Sequence, residues 1–584
     1  MAARLTAYLV VAIVVATVIA GLIVGAQRDD NDGPVDLIVH NATVYTAGGN
    51  RATAEAVAIR GNQILSVGSN REISRLKRPQ TLMIDAGGGA VLPGFNDSHL
   101  NLIQGGLKLG VLNVSDAEST TNLLEQVAAW SRANPSARWI VGRGWSPSLF
   151  TKTSPSRQLL DAVVPDRPVV LYGATSESAW VNSKALELSE IDRKTADPVA
   201  GLIVRESRRG DPAGVLTGSA VRLVEKRVPP PTHEEHLNAL RAAVAEANAL
   251  GITSVQTAGD TLADLQLYEA ARRAGDLTLR LYSALRVDAP LTEAAIAALD
   301  ETQRKYSDDP LLKSGALFFP LDGEIATRRA AMLEPYEDDP DLSASTFDVD
   351  ELNRSVRLAD AAGWQIIIRA AGDRAVRMAL GAIAHAVRSN RAPAQGRRHR
   401  IDHLALVDEA DLPRFGPLGV VASMQPARGA PTAVQMERLA RHLGEERANR
   451  TFAFRRLGEQ TRVIFGSGWP LDDLNPFAGL HVAVNQQTPA GLPAAPWHAA
   501  ERLPLAAAID AYTATPAWAS FDEHRKGSIS AGMLADLVVL EQNIFERSRT
   551  RLAAATVAAT IFDGKIVYQR VWRSETEPAP SLQH

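Results

Sequence analysis

Residues 233–257 read HEEHLNALRAAVAEANALGITSVQT. The first eighteen have helical character, and the last seven, opened by Gly251, read as a brief apolar strand. The same kind of strand returns as WQIIIRA at 364–370, GVVASMQ at 419–425 and RVIFGSG at 462–468, with helical stretches between. Strand and helix alternating over several hundred residues predict parallel βα units, and at this length a closed barrel rather than an open sheet. Residues 105 to about 250 interrupt the rhythm and are expected to form an insertion.

Both ends of this region are rich in short strands. DLIVHNATVYTA at 36–47 and AEAVAIRGNQILSVG at 54–68 precede it, while GSISAGMLADLVVLE at 527–541 and ATVAATIFDGKIVYQR at 555–570 follow it. Asp563-Gly564 is a hairpin signal. The two ends are expected to pair in one sheet.

The chain has 584 residues, 46% hydrophobic and 22% charged, with 42 Gly and 32 Pro. That is ordinary globular composition and excludes disorder, collagen and coiled coil. With 62 Lys+Arg against 66 Asp+Glu, no bulk positive field draws it to nucleic acid, and no such partner is expected. The absence of cysteine rules out disulfides, zinc-thiolate clusters and a thiol nucleophile, so a metal would need His, Asp, Glu or a modified Lys.

Leu5 to Ala26 run LTAYLVVAIVVATVIAGLIVGA without a charge. As a helix at about 1.5 Å per residue this spans roughly 33 Å, the thickness of a bilayer core. The expectation is a single uncleaved membrane helix; the competing reading is a cleaved signal peptide ending near Val24-Gly25-Ala26. Arg4 before the span, against Asp29, Asp30 and Asp32 after Arg28, places the N-terminus in the cytoplasm and the main domain outside a bacterial cytoplasmic membrane.

Residues 91–102, VLPGFNDSHLNL, carry a strand ending in Pro93-Gly94 and then Asp97, His99 and Asn101. Together with GRGWS (142–146), SAWVNSKAL (178–186), AGDRAV (371–376), RHRIDH (398–403), SMQP (423–426), FGSGWP (465–470) and ISAGMLADLVVL (529–540), this resembles the amidohydrolase superfamily. The branch is that of composite-domain, metal-dependent hydrolases similar to N-substituted formamide deformylases. The resemblance implies an α/β fold: a (β/α)8 TIM-like barrel at 94–515, with a split β-sandwich at 35–93 and 516–572. Around these lie the cytoplasmic stub and anchor at 1–26, a linker at 27–34 and a polar tail at 573–584.

The family's barrel holds one or two divalent metals, usually zinc. The metal brings the pKa of a bound water toward about 7, and a carboxylate on the last strand moves the proton to the leaving nitrogen. Carried over position by position, most of that machinery is replaced. The first-strand His-x-His is His99-Leu100-Asn101, and the fourth-strand lysine, four residues before Asp322-Gly323, is Phe318. Lys313 lies five residues too early to serve. The fifth-strand histidine is Arg369, whose guanidinium offers no lone pair. His403 is kept on the sixth strand, and the eighth-strand Gly-Ser-Asp reads Gly466-Ser467-Gly468, so the base is missing. The Gln-Pro-x-His segment ends in Arg428, the Asp-Gly-His-Ser segment reads Thr175-Ser176-Glu177-Ser178, and Val-His-Asp reads Val255-Gln256-Thr257.

The metal site therefore reads as degenerate. His99 and His403 remain as residual ligands for one divalent metal such as zinc, but no cofactor is expected. Arg369 and Arg428 stand where metal charge once stood and are candidates to hold an anionic small molecule; the alternative for Arg369 is a structural ion pair with Glu177 or Asp322. Glu177 is the candidate acid or base, while Asp97, Asp373 and His399 read as scaffold. Three functions follow: a non-catalytic or rebuilt subunit binding an anion or a protein partner, a hydrolase of non-peptide C–N bonds using one metal or none, and a metal-free enzyme on an anionic substrate.

Overall fold

The computed structural model describes residues 34–570 apart from 48–52, 151–153, 174–176 and 340–344. Eight strands line one parallel sheet: β1 (Phe95–Leu100), β2 (Ile252–Asp260), β3 (Arg280–Arg286), β4 (Leu312–Pro320), β5 (Gln365–Ala370), β6 (Arg400–His403), β7 (Val421–Met424) and β8 (Val463–Phe465). Each pairs with the next in chain order. Just beyond the strands, Gly468 N donates to His99 O and Asn101 N to Trp469 O, both at 2.8 Å, so β8 returns to β1 and the barrel is nearly closed.

Alternation along each strand separates two cores. On β5, Ile366, Ile368 and Ala370 face the helices, joining Leu240 and Val244 of the helix His233–Ala249. Ile367 instead faces inward with Tyr282, Ala284, Ala316 and Phe318. That helix begins where the sequence signals it: Thr232 caps the Glu235 N–H, and the Glu235 carboxylate returns to the Thr232 N–H. Register aligns Pro320 with Arg369, and Ala370 with His403, so the ends of β4, β5 and β6 form one rim.

Strands from both chain ends share a six-stranded sheet in which Leu537–Leu540 lies antiparallel to Ala90–Pro93. A four-stranded sheet of residues 37–85 packs on it, with Val39, Val57, Val91 and Val539 between them. The turn at Asp563-Gly564 has φ of 51° and 76°, joining Phe562 to Lys565. A Cβ on Gly564 would lie 1.9 Å from Gly61 O, so the close approach requires glycine there. A further mixed sheet of six strands occupies residues 112–218, between β1 and β2.

The stretch expected to be a membrane helix, residues 5–26, lies outside the described residues, as does the tail at 573–584. Among the described residues no helix is long and apolar enough to cross a membrane. This corrects the single-pass, extracytoplasmic placement read from the hydrophobic run.

Candidate functional site at the barrel mouth

The rim brings His99, Phe318, Arg369, His403, Arg428 and Gly468 together, and each is held by local structure that the sequence explains. Asn101, at the second histidine position, caps the helix Leu102–Leu109: its Oδ1 accepts the Gln104 N–H at 3.0 Å. Asparagine is among the best residues for that task, so the amide is occupied at a helix start. Phe318 is buried inside the barrel, its ring centroid 6.2 Å from that of His99. Gly468 has φ of 77°, and a Cβ there would lie 2.8 Å from Asp472 Oδ2. The space that an eighth-strand aspartate would enter is filled by Asp472, and the backbone favours glycine.

His403 lies between two guanidiniums. Arg369 Nε donates to its Nε2 at 3.2 Å, and Arg428 Nη1 stands 3.4 Å from its Nδ1. A neutral imidazole accepts at one nitrogen only, so it takes a hydrogen bond from one of the two guanidiniums and not from both. Burial first, and then the charges of Arg369, His99 and Arg428, hold the His403 pKa well below its ordinary value. Its φ of 78° is a backbone strain of roughly 1–3 kcal/mol for a residue other than glycine.

Glu324 joins the two arginines. Its Oε1 accepts from Arg369 Nη2 at 2.5 Å and its Oε2 from Arg428 Nη1 at 2.7 Å. Arg428 Nε donates to Asp472 Oδ2 at 2.6 Å, and Arg369 Nη1 donates to the Asp322 carbonyl. Burial alone would raise the Glu324 carboxyl, but the Arg428 and Arg369 charges outweigh it and hold the pKa below its ordinary value. The anion that the two arginines hold is thus the protein's own.

His99 Nδ1 lies 2.6 Å from Asp402 Oδ2, and its ring meets that of His403 edge-on at 4.9 Å between centroids. Asp97 accepts the His99 and Ser467 N–H groups at 3.1 and 2.9 Å, and burial raises it to about 6. Asp322 is likewise raised to about 6 by burial, although its carboxylate accepts the backbone N–H groups of Ala331, Ala371 and Gly372. Asp373 accepts the Leu333 and Arg374 N–H groups, and buried His399 bonds Asp360 at 2.9 Å. Lys313 serves the opposite end of the barrel, bonding Ser520 O and Asp522. Gln256 bridges Asn96, Pro516 O and Arg400 inside it.

Glu177 does not join this cluster. It is exposed at the head of the strand Ser178–Val181, in the sheet of residues 112–218, where its carbonyl accepts the Gly218 N–H. The partners of Arg369 are Glu324 and, at 3.9 Å, Asp322. Glu324, Asp472 and Asp402 were not anticipated from the sequence. The signal available was that two half-buried guanidiniums need counter-charges, and acids follow β4 and β8 at 322–324 and 472–473.

A model of the amidohydrolase family matches residues 82–568. The chain belongs to that family. A putative amidohydrolase, YtcJ, of Bacillus subtilis (strain 168) is 29% identical over 91% of this chain and 99% of that protein. The N-substituted formamide deformylase of Arthrobacter pascens is 26% identical over 92% and 98%. In fold, the chain is similar to the crystal structure of an uncharacterized metal-dependent hydrolase from Pyrococcus furiosus, with a TM-score of 0.69 at 24% identity over 88% of this chain and 99% of that one.

The donors of this amidohydrolase-family barrel do not fit the family's metal. Among the described residues no group of three or more His, Asp or Glu side chains is placed to hold a metal ion. Two imidazoles fall short of the three or four ligands that zinc takes, and the His403 lone pair already receives a guanidinium.

Two cavities flank the network. One, of about 490 Å³, is lined by Arg286, Phe318, Pro320, Asp322, Arg329 and Arg369. The other, of about 290 Å³, is lined by residues that include Glu324, His403, Gln425, Arg428 and Asp472.

Proposed function

We propose that this amidohydrolase-family protein is a binding or complex-forming subunit whose barrel mouth has been rebuilt without the hydrolytic metal centre. The observation that carries the reading is His403 lying between Arg369 and Arg428, with Glu324 bridging the arginines on bonds of 2.5 and 2.7 Å. Metal-assisted hydrolysis needs a cation with an open position to activate water and a base to take its proton. Here guanidiniums occupy the cationic place, and these bind carboxylates without activating a water by coordination. The eighth-strand position of the base is Gly468, backed by an Asp472 already bonded to Arg428.

The coarser family activity, hydrolysis of C–N bonds, sets the test. Purified full-length protein should show no turnover of N-substituted formamides or simple amides above buffer, with or without added zinc. Saturable turnover that a chelator abolishes would overturn this reading and restore the hydrolase.

A further inference from the structure

We propose that the arginine-lined cavity beside the network binds a small organic dianion with an apolar backbone. This rests on the reading of the mouth as a binding site and adds its ligand class. Three guanidiniums line about 490 Å³, but only one of them, Arg369, is spent on the Glu324 network. Arg286, at the end of β3, donates through Nε to Asp288 at 2.6 Å, which orients the group and leaves both terminal nitrogens without a partner among the described residues. Arg329 has no side-chain partner among the described residues. Asp322 does not cancel these charges at the cavity surface. Its side chain is fully covered, with its oxygens turned to three backbone N–H groups.

Arg286 is oriented by Asp288, and the backbone that carries Arg329 is fixed. Gly323 N donates to Arg329 O at 2.8 Å and Arg329 N to Glu324 O at 3.0 Å, closing the loop that carries Arg329. A Cβ on Gly323 would lie 2.4 Å from Arg329 Cβ, so glycine permits that closure. Next to it, Arg328 pins the loop to Asp338 through bonds of 3.0 and 2.6 Å. Two of the lining residues, Phe318 and Arg286, pack beside Gly259, 3.4 and 3.7 Å from where a Cβ on it would stand. Phe318 and Pro320 supply an apolar wall. The open terminal nitrogens of Arg286, whose Nε is paired with Asp288, and the guanidinium of Arg329, unpaired among the described residues, match two anionic groups, and the wall matches a short hydrocarbon chain between them.

The test is calorimetric titration of the full chain with glutarate, inorganic phosphate and acetate, against sodium chloride at equal ionic strength. Saturable binding of one glutarate per chain is expected, at least about tenfold tighter than acetate, and weakened at least about tenfold by Arg286→Gln or Arg329→Gln. Both arginines are exposed, so equal melting temperatures of the unliganded variants will verify folding. Phosphate binding as tightly as glutarate, with the same loss in both variants, supports the charge and replaces the dicarboxylate by a phosphate ester. No saturable binding, binding matched by chloride, or binding unchanged in the Arg286→Gln/Arg329→Gln double variant would overturn the proposal. Those outcomes leave the metal-free reading intact, because that reading fails on metal content instead.

Discussion

Replacing Glu324 by alanine is expected to lower the unfolding free energy by about 2–4 kcal/mol, measured by urea titration. Removing one partner of a desolvated ion pair leaves the other uncompensated, which costs more than the intact pair contributes. Glu324 serves two cations at once. Without it Arg428 keeps Asp472, whereas Arg369 keeps no carboxylate nearer than Asp322 at 3.9 Å, beside its bonds to the neutral His403 Nε2 and the Asp322 carbonyl. The range sits below that of a fully buried pair because the Glu324 side chain is 30% exposed. Adding Arg369→Met to the Glu324→Ala variant should recover part of the loss, since it removes the stranded charge. Because the Glu324 pKa is held below its ordinary value of 4.5, its contribution is full above that pH and is lost as pH falls through the folded pKa. A loss under about 0.5 kcal/mol at neutral pH would show that the network is a surface pair of little consequence.

Arg280→Met should cost about 3–5 kcal/mol, the largest effect expected outside the mouth. Arg280, on β3, is buried and reaches into the sandwich. It contacts both oxygens of Asp536, at 2.6 and 3.0 Å, and Asp563 at 2.8 Å. Its guanidinium also lies 4.9 Å from the centre of the Phe562 ring. Methionine fills much of the same volume but leaves Asp536 buried without its cation. Urea unfolding reads the loss directly, and a change under about 1 kcal/mol would mean that the apolar contact alone joins barrel to sandwich.

The barrel was legible because its strands are short β-branched runs such as WQIIIRA, placed between helices with capping signals such as Thr232 and Glu235. The closing of the ring depends on hydrogen bonds at Gly468 and Asn101, which no periodicity announces. At the mouth, Phe318, Arg369 and Gly468 could be set against the family pattern because they sit at fixed spacings from Asp322-Gly323, Gly372-Asp373 and Gly466-Ser467. Their partners could not. Glu324 and Asp472 come from loops after different strands, and only the folded register brings them between Arg369 and Arg428. Glu177, chosen by motif position, belongs to another sheet. Asn101 was readable in a different way: an asparagine directly before LIQGGLKL is a helix cap as much as a lost ligand. The long apolar run near the N-terminus gave the one expectation on placement that was overturned.

The central claim is that guanidiniums and Glu324 stand where the family's metal would be. The most direct test is metal content by mass spectrometry on the full chain, purified without chelator, incubated with excess zinc and then desalted. The account predicts less than about a tenth of an equivalent of zinc per folded chain, because two imidazoles do not make a tight site. One or more equivalents, lost on mutation of His99 or His403, would contradict it.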